Sequence, residues 1–425
     1  MRLAAALAGA CLSAAALAQG EERFGFDASQ FEKKPWELGG FLEGKGERQR
    51  LDPGAALYPL QFPGVSAAYN DRASGVAEVY GTLRRDSLRG YLLAHGEYLD
   101  DVRGSEHQAK LYEAYAAWQA SASAAWEAGK KTQRWGKGYA WNPVAFLERP
   151  KDPEDPELSR EGFVAAAGNW VRSGAGPLQN LSVTGLVVPT TGDLNSDFGA
   201  DGHWNPAAKV SLLYRDTDLD FLWLGNGARS ARFGFDVSRN FGTNLEAHGE
   251  WARIRDFRQP VLEPGGALVA APPRNATSYL LGLRYLTERD TTWIVEYYRN
   301  GTGYSEEQAR TFYEAAHAGA APGALAPAVR SAAQAGYARP DLMQRYLYVR
   351  ASQKEPFDVL YFTPSVTTIL NLDDRSYSLI GELLYTGFRD FEIRVRAAFN
   401  VGERLTEYGE KPVSERLELR VRWHF

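Results

Sequence analysis

Five arginines share one parity near the end of the chain: Arg394 and Arg396 in DFEIRVRAAFNV, then Arg416, Arg420 and Arg422 in SERLELRVRWHF. A guanidinium is always charged and presents a flat fork of donors that fits carboxylates and phosphates. A row of them on one face could steer or bind anions. The early chain carries the opposite charge at Glu37, Glu43, Glu78, Glu97 and Glu113. Bond-making chemistry is harder to find. None of the six histidines sits in a recognisable motif. His248 lies two residues from both Glu246 and Glu250, which on a strand puts all three on one face. That mimics an acid–base or metal cluster, but the expected reading is a hydrated lumen face. The sequence has no HExxH, no phosphate loop, no CxxCH and no nucleic-acid signature. The expectation is a non-enzymatic protein without cofactor, metal or nucleic-acid partner.

These charges lie on segments that alternate strictly. Leu417, Leu419, Val421, Trp423 and Phe425 fall on one parity, and Arg416, Glu418, Arg420, Arg422 and His424 on the other. RSARFGFDVSRN, SYLLGLRYL, TWIVEYYRN and DFEIRVRAAFNV repeat the pattern. Stretches of about ten residues with this dyad mark membrane-spanning strands. They predict strands near 36–45, 74–84, 88–98, 109–119, 122–132, 163–172, 179–188, 206–215 and 218–226. The series continues at 230–239, 243–255, 276–287, 290–299, 344–353, 362–371, 375–386, 390–400 and 414–425. That makes eighteen strands, with sixteen as the alternative. Bacterial barrels have short periplasmic turns and longer outer loops, and the connectors follow suit. Long stretches at 46–73, 133–162, 189–205, 256–275 and 300–343 alternate with short ones. The outer connectors GNGARS and LDDRS are themselves short, but no short position holds a long insertion.

An open array of such strands would aggregate through its edges. Closure inside a bilayer removes the edges and satisfies the backbone. Composition agrees: aromatics are 12% of residues, mean hydropathy is −0.39, and no apolar run after the N-terminal segment reaches the roughly 18 residues of a spanning helix. MRLAAALAGACLSAAALAQG reads as a secretory signal, residues 1–18, cleaved after Ala18. Cleavage there removes Cys11, the single cysteine. Residues 19–35 would be a periplasmic leader and 36–425 the barrel. Trp36, Tyr98, Trp118, Trp170, Tyr385 and Trp423 would form interfacial girdles. A closing strand that ends in Phe425 resembles the signal by which the barrel-assembly machinery recognises outer-membrane proteins. The predicted fold is all-β: a transmembrane antiparallel barrel of the bacterial outer membrane, its outer face covered by lipid, with homo-oligomerisation left open.

If apolar residues face lipid, the other parity lines the lumen. The last strand would pair with the first and set the arginine wall beside the glutamate wall, giving a transverse field across a pore. The same residues could instead neutralise each other across strands. The segment GKKTQRWGKGYAWNPVAFLERPKDPEDPE leaves the fifth strand carrying Trp135, Lys137, Tyr139, Trp141 and Asn142. Its aromatics are too apolar for a freely waving loop, so it is expected to fold inward and narrow the pore, or else to pack on the rim. Its exit, Gly129-Lys130 followed by Trp135-Gly136, resembles porin-like outer-membrane families and the alginate-export type of barrel. That resemblance implies eighteen strands and a basic conduit; the acidic lumen positions speak against export of a polyanion. In 300–343, Ser305-x-x-Gln308 is a capping-box pattern, and a second helix would begin at Pro327. Such helices would cap the mouth or gate it.

Inward-facing Leu222, Leu224, Ile294, Ile380 and Leu384 would favour an amphipathic cargo unless the inserted loop covers them. The expected function is diffusion of small hydrophilic solutes through a charged lumen. Export of a polysaccharide, transport of a lipidic molecule, and structural housing for a partner complex are the alternatives.

Overall fold

The computed structural model describes residues 34–319 and 327–425. The expected signal with Cys11, most of the leader, and 320–326 of the long insertion lie outside the described residues. Eighteen antiparallel strands form one sheet that closes on itself. The first strand, Trp36–Leu51, pairs on one side with Tyr69–Arg85 and on the other with the last, Val413–His424. Phe425 seals this seam: its N–H and C=O exchange 3.1 Å hydrogen bonds with the backbone of Gly40.

Period-two alternation decides which face is which. Leu417, Leu419, Trp423 and Phe425 are exposed, while Glu418 and Arg420 between them are buried. Similar exposed leucines, valines and aromatics run round the barrel, among them Leu42, Phe235, Leu281, Val366 and Leu383. A continuous apolar belt of this kind needs a bilayer to cover it. Trp36, Tyr98, Trp118, Trp170 and Trp423 lie exposed near strand ends, whereas Tyr385 is half-buried against Phe388. No described helix is long and apolar enough to cross a membrane.

Each predicted strand corresponds to a strand in the barrel, but the ends differ. The clearest correction is at 99–108, expected as a loop. There Leu88–Asp101 and Gly104–Ser121 continue as a paired hairpin to a turn at Val102 and Arg103. The tip sequence GSEHQAK is exposed on both faces, so it shows no alternation, yet the ladder needs only backbone pairs. Two small outer elements, the ribbon of Pro260–Leu262 with Leu268–Ala270 and the helix Tyr58–Gln61, are too short to leave a periodic trace.

The described parts of the long insertion carry two α-helices. Ser305 Oγ accepts from the Gln308 N–H and Gln308 Oε1 accepts from the Ser305 N–H, 3.2 and 3.0 Å, starting the helix Glu306–Ala318. A second begins at Pro327 and runs to Ala332. Phe312, Tyr313, Val329 and Tyr337 pack with Tyr304, Met343 and Tyr346, and this cluster includes Trp141 of the loop between the fifth and sixth strands.

Replacing the lipid-facing Leu281, which is 61% exposed near mid-strand, with arginine is expected to destabilise the barrel by about 2–4 kcal/mol. Unfolding in urea from lipid vesicles, followed by tryptophan fluorescence, measures this. An equal cost in a detergent-free aqueous buffer would contradict the lipid-facing assignment.

Candidate functional site: a loop pinned inside the barrel

Residues 132–162 connect the strand Ala124–Lys131 to Phe163–Ser173 and fold into the barrel. Two buried wall carboxylates receive them. Glu250, on Leu245–Phe257, accepts the backbone N–H groups of Lys137, Gly138 and Val144 at 2.6, 2.7 and 3.2 Å, and the Asn142 amide at 2.9 Å. Glu296, on Thr291–Arg299, accepts those of Tyr139 and Ala140 at 2.5 and 2.9 Å. Hydrogen bonds to an ionised acceptor are each worth about 1.5–3 kcal/mol, and together they replace the water that both carboxylates lose. Gly136 makes the close approach feasible. Its φ is +98°, and a Cβ there would sit 2.6 Å from Asn142 Nδ2 and 2.7 Å from Glu250 Oε1.

The cluster around His248 borders the lumen cavity through Glu246 and His248 and also supports the loop. The His248 Nε2 lies 2.8 Å from Glu296 Oε1, and Glu246 is 3.9 Å from Nδ1, so the imidazole buttresses the loop's anchor. Lys137 reaches Asp220 and Asp236 at 3.3 and 3.9 Å. Trp135, Val144, Phe146 and Leu147 pack on Leu222, Leu224, Leu186 and Ala252. Trp141 stacks on Tyr298 at 5.1 Å and shares a cluster with Ile294. The inward-facing leucines and isoleucine are thus the seat of the loop. Ile380 is buried as well, and Leu384 half-buried.

The second half of the loop, the acid–proline run, reaches the arginine wall. Asp155 lies 3.1 Å from Arg420 and 3.6 Å from both Arg394 and Arg396; Glu154 pairs with Arg416 at 2.7 Å. Wall carboxylates take the remaining valences: Glu392 with Arg394 at 3.1 Å, Glu418 with Arg420 at 3.0 Å, and Glu43 with Arg422 at 2.6 Å. Glu382 is 2.7 Å from Arg396 and 3.4 Å from Arg350. Six arginines are therefore met by six carboxylates, and the two walls touch as pairs at the seam, where Glu43 and Arg422 are in register.

The other early glutamates are dispersed. Glu78 meets His95 at 3.0 Å and accepts the Ser159 hydroxyl at 2.9 Å; His95 itself stacks on Tyr112. Glu113 accepts the Thr132 N–H and Glu97 the Gln108 amide. Glu37 is exposed beside Arg84 at 3.5 Å and joins none of these groups. Sequence reasoning placed Glu250 on one face with His248 but missed its role as the loop's acceptor, and it missed Glu296, Glu382, Glu154 and Asp155 altogether. The first three were legible as inward-parity acids within strands, and the last two as the run between Pro153 and Pro156, but nothing local named their partners.

Beside the loop a cavity of about 440 Å³ remains, lined by Lys137, Tyr139, Lys151, Glu157, Arg284 and Arg350 among others. It is polar and carries both signs of charge, which suits a hydrated solute. Among the described residues no three metal-binding side chains gather to hold an ion.

Outside the barrel wall, Asp341 accepts the Trp141 indole N–H at 2.9 Å. Burial, then the nearby Glu407, push its carboxyl up to about 7, against the opposing Trp141 bond and Lys411. Burial likewise raises Glu407.

Two outcomes follow for this contact network. Glu250→Ala strips the loop of its acceptor, so the 132–162 segment should become protease-sensitive while the barrel stays heat-modifiable in gels; continued resistance would contradict the anchoring role. An acid whose folded pKa is raised above its ordinary value favours the folded form at low pH. The contact of the insertion on Trp141 should therefore weaken as pH rises from about 4 through about 7, read by tryptophan emission, and Asp341→Asn should flatten the dependence.

No protein-family model matches the chain, and no curated protein matches it in sequence. Solved structures match its fold. Acinetobacter baumannii OccAB1 aligns with a TM-score of 0.53 at 9% identity, over 91% of this chain and 96% of its own. Pseudomonas aeruginosa OccK9 (OpdG) gives 0.52 at 9%, over 92% and 98%, and OccK11 (OpdR) of the same organism 0.50 at 12%, over 91% and 96%. The resemblance to alginate-export barrels finds no support among these structures. At such identities the likeness is one of fold: the chain shares the barrel architecture of these Occ proteins across nearly its whole length.

Proposed function

We propose that this chain is an outer-membrane channel through which small hydrophilic solutes diffuse past a constriction made by residues 132–162. The observation that carries this reading is the loop's placement: it is tied to one wall by Glu250 and Glu296 and reaches the arginines of another through Glu154 and Asp155. A segment fastened at both sides narrows a lumen without sealing it, and the polar cavity beside it is where a solute passes. Trp135, Lys137, Tyr139, Trp141 and Asn142 form the constricting turn, and the paired arginines and glutamates line the passage. In this reading the signal of residues 1–18 directs export, Phe425 serves the assembly machinery, and lipid covers the belt.

The alternatives lose their motivation. A lipidic cargo rested on five inward apolar residues, of which Leu222, Leu224 and Ile294 now pack in clusters with the loop. A polyanion conduit needs unpaired cations, whereas the arginine wall is matched by carboxylates. Planar-bilayer recording tests the proposal. The folded protein should give discrete ion conductance, and deletion of 136–160 should raise it severalfold. Silence of the folded protein would overturn the channel reading; unchanged conductance in the deletion would overturn the constriction.

A further inference from the structure

We propose that Asp155 is a selectivity-determining residue, a tethered counter-ion that occupies the arginine wall in the place an incoming anion would take. The inference rests on the channel reading and goes beyond it, since it says what the loop's charge does there.

The geometry of the turn singles this residue out. The Asp155 N–H donates to the Asp152 carbonyl at 3.1 Å, and Asp152 Oδ1 accepts the Glu154 N–H at 2.9 Å. Pro153 and Pro156 fix the backbone on either side. The carboxylate is thereby presented outward from the loop to Arg394, Arg396 and Arg420.

The manner of its binding differs from that of the wall acids. Glu382 makes two hydrogen bonds to Arg396, at 3.2 and 2.7 Å, and Glu43 two to Arg422, at 2.9 and 2.6 Å. Asp155 Oδ2 is buried and has no aligned hydrogen bond, and the buried Nε of Arg394 also lacks an acceptor. Glu382 and Glu43 are held by paired hydrogen bonds on rigid strands, whereas Asp155 sits on a loop and faces three arginines, Arg420 at 3.1 Å and Arg394 and Arg396 at 3.6 Å. Of the two loop carboxylates that face the wall, Glu154 is bonded to Arg416 at 2.7 Å, which leaves Asp155 as the one an anionic oxygen would exchange with. While Asp155 is seated the wall is neutral, and an anion gains only by exchange. Without its charge the wall carries a standing positive excess that any anion feels.

The test uses the full-length chain in planar bilayers under a potassium chloride gradient at low ionic strength, where a wall charge is least screened. Asp155→Asn should raise the chloride-to-potassium permeability ratio about threefold or more, and Asp155→Glu, which keeps the charge, should stay near the wild-type ratio. Asp155→Ser removes the same charge with a smaller side chain and gives the same readout should the asparagine variant fail to assemble. Channels that conduct more of both ions at an unchanged ratio would show a purely structural role and overturn the proposal, with the channel reading intact. A folded wild type that does not conduct would overturn both.

Discussion

Buried carboxylates that accept backbone N–H groups from a returning loop are the interaction on which this molecule depends. An eighteen-stranded cylinder is too wide for its inward side chains to fill, so its interior must be either water or inserted chain. Here Glu250 and Glu296 make the second choice favourable along one wall. Each is desolvated, and each recovers that cost through several charge-assisted bonds to a turn whose glycine leaves no Cβ in the way. His248 holds Glu296 in position, and Asn142 closes the ring around Glu250.

Much of the remaining packing rests on that fastening. With the turn in place, Trp135 and Phe146 cover wall leucines that would otherwise face water. Trp141 then joins the wall residues Leu280, Tyr346 and Tyr348 in the cluster that receives the helical insertion. The proline-stiffened remainder is left to span toward the arginines, where Glu154 and Asp155 complete the neutralisation of the wall. The barrel thus obtains much of its core from a loop as well as from its wall, and in the proposed channel the same loop would set the width and the charge of what is left open.

The barrel was legible from the chain because a strand's period of two is a local property. Parity alone separated Leu419 and Trp423 from Glu418 and Arg420, and the alternation of connector lengths supported the count. Capping chemistry at Ser305 and Gln308 is local as well, and it located the helix. The hairpin around Val102 and Arg103 escaped because both its faces are wet, so pairing there leaves no alternation. The site escaped for a different reason. Lys137 and Glu250, or Asp155 and Arg420, are brought together only by closure of the whole cylinder, and no spacing within a strand encodes such a meeting. Even the transverse field inferred from opposing walls became a set of ion pairs once the first and last strands were in register.

Whether residues 132–162 truly sit in the lumen can be read from a single substitution. Cys11, the chain's single cysteine, lies in the expected signal, so Glu157→Cys places a unique thiol on the rim of the 440 Å³ cavity. A bulky thiol-reactive reagent applied to the reconstituted protein should then lower the conductance in one step. Full labelling with no change in current would put the loop outside the conducting path and contradict the mechanism built on it.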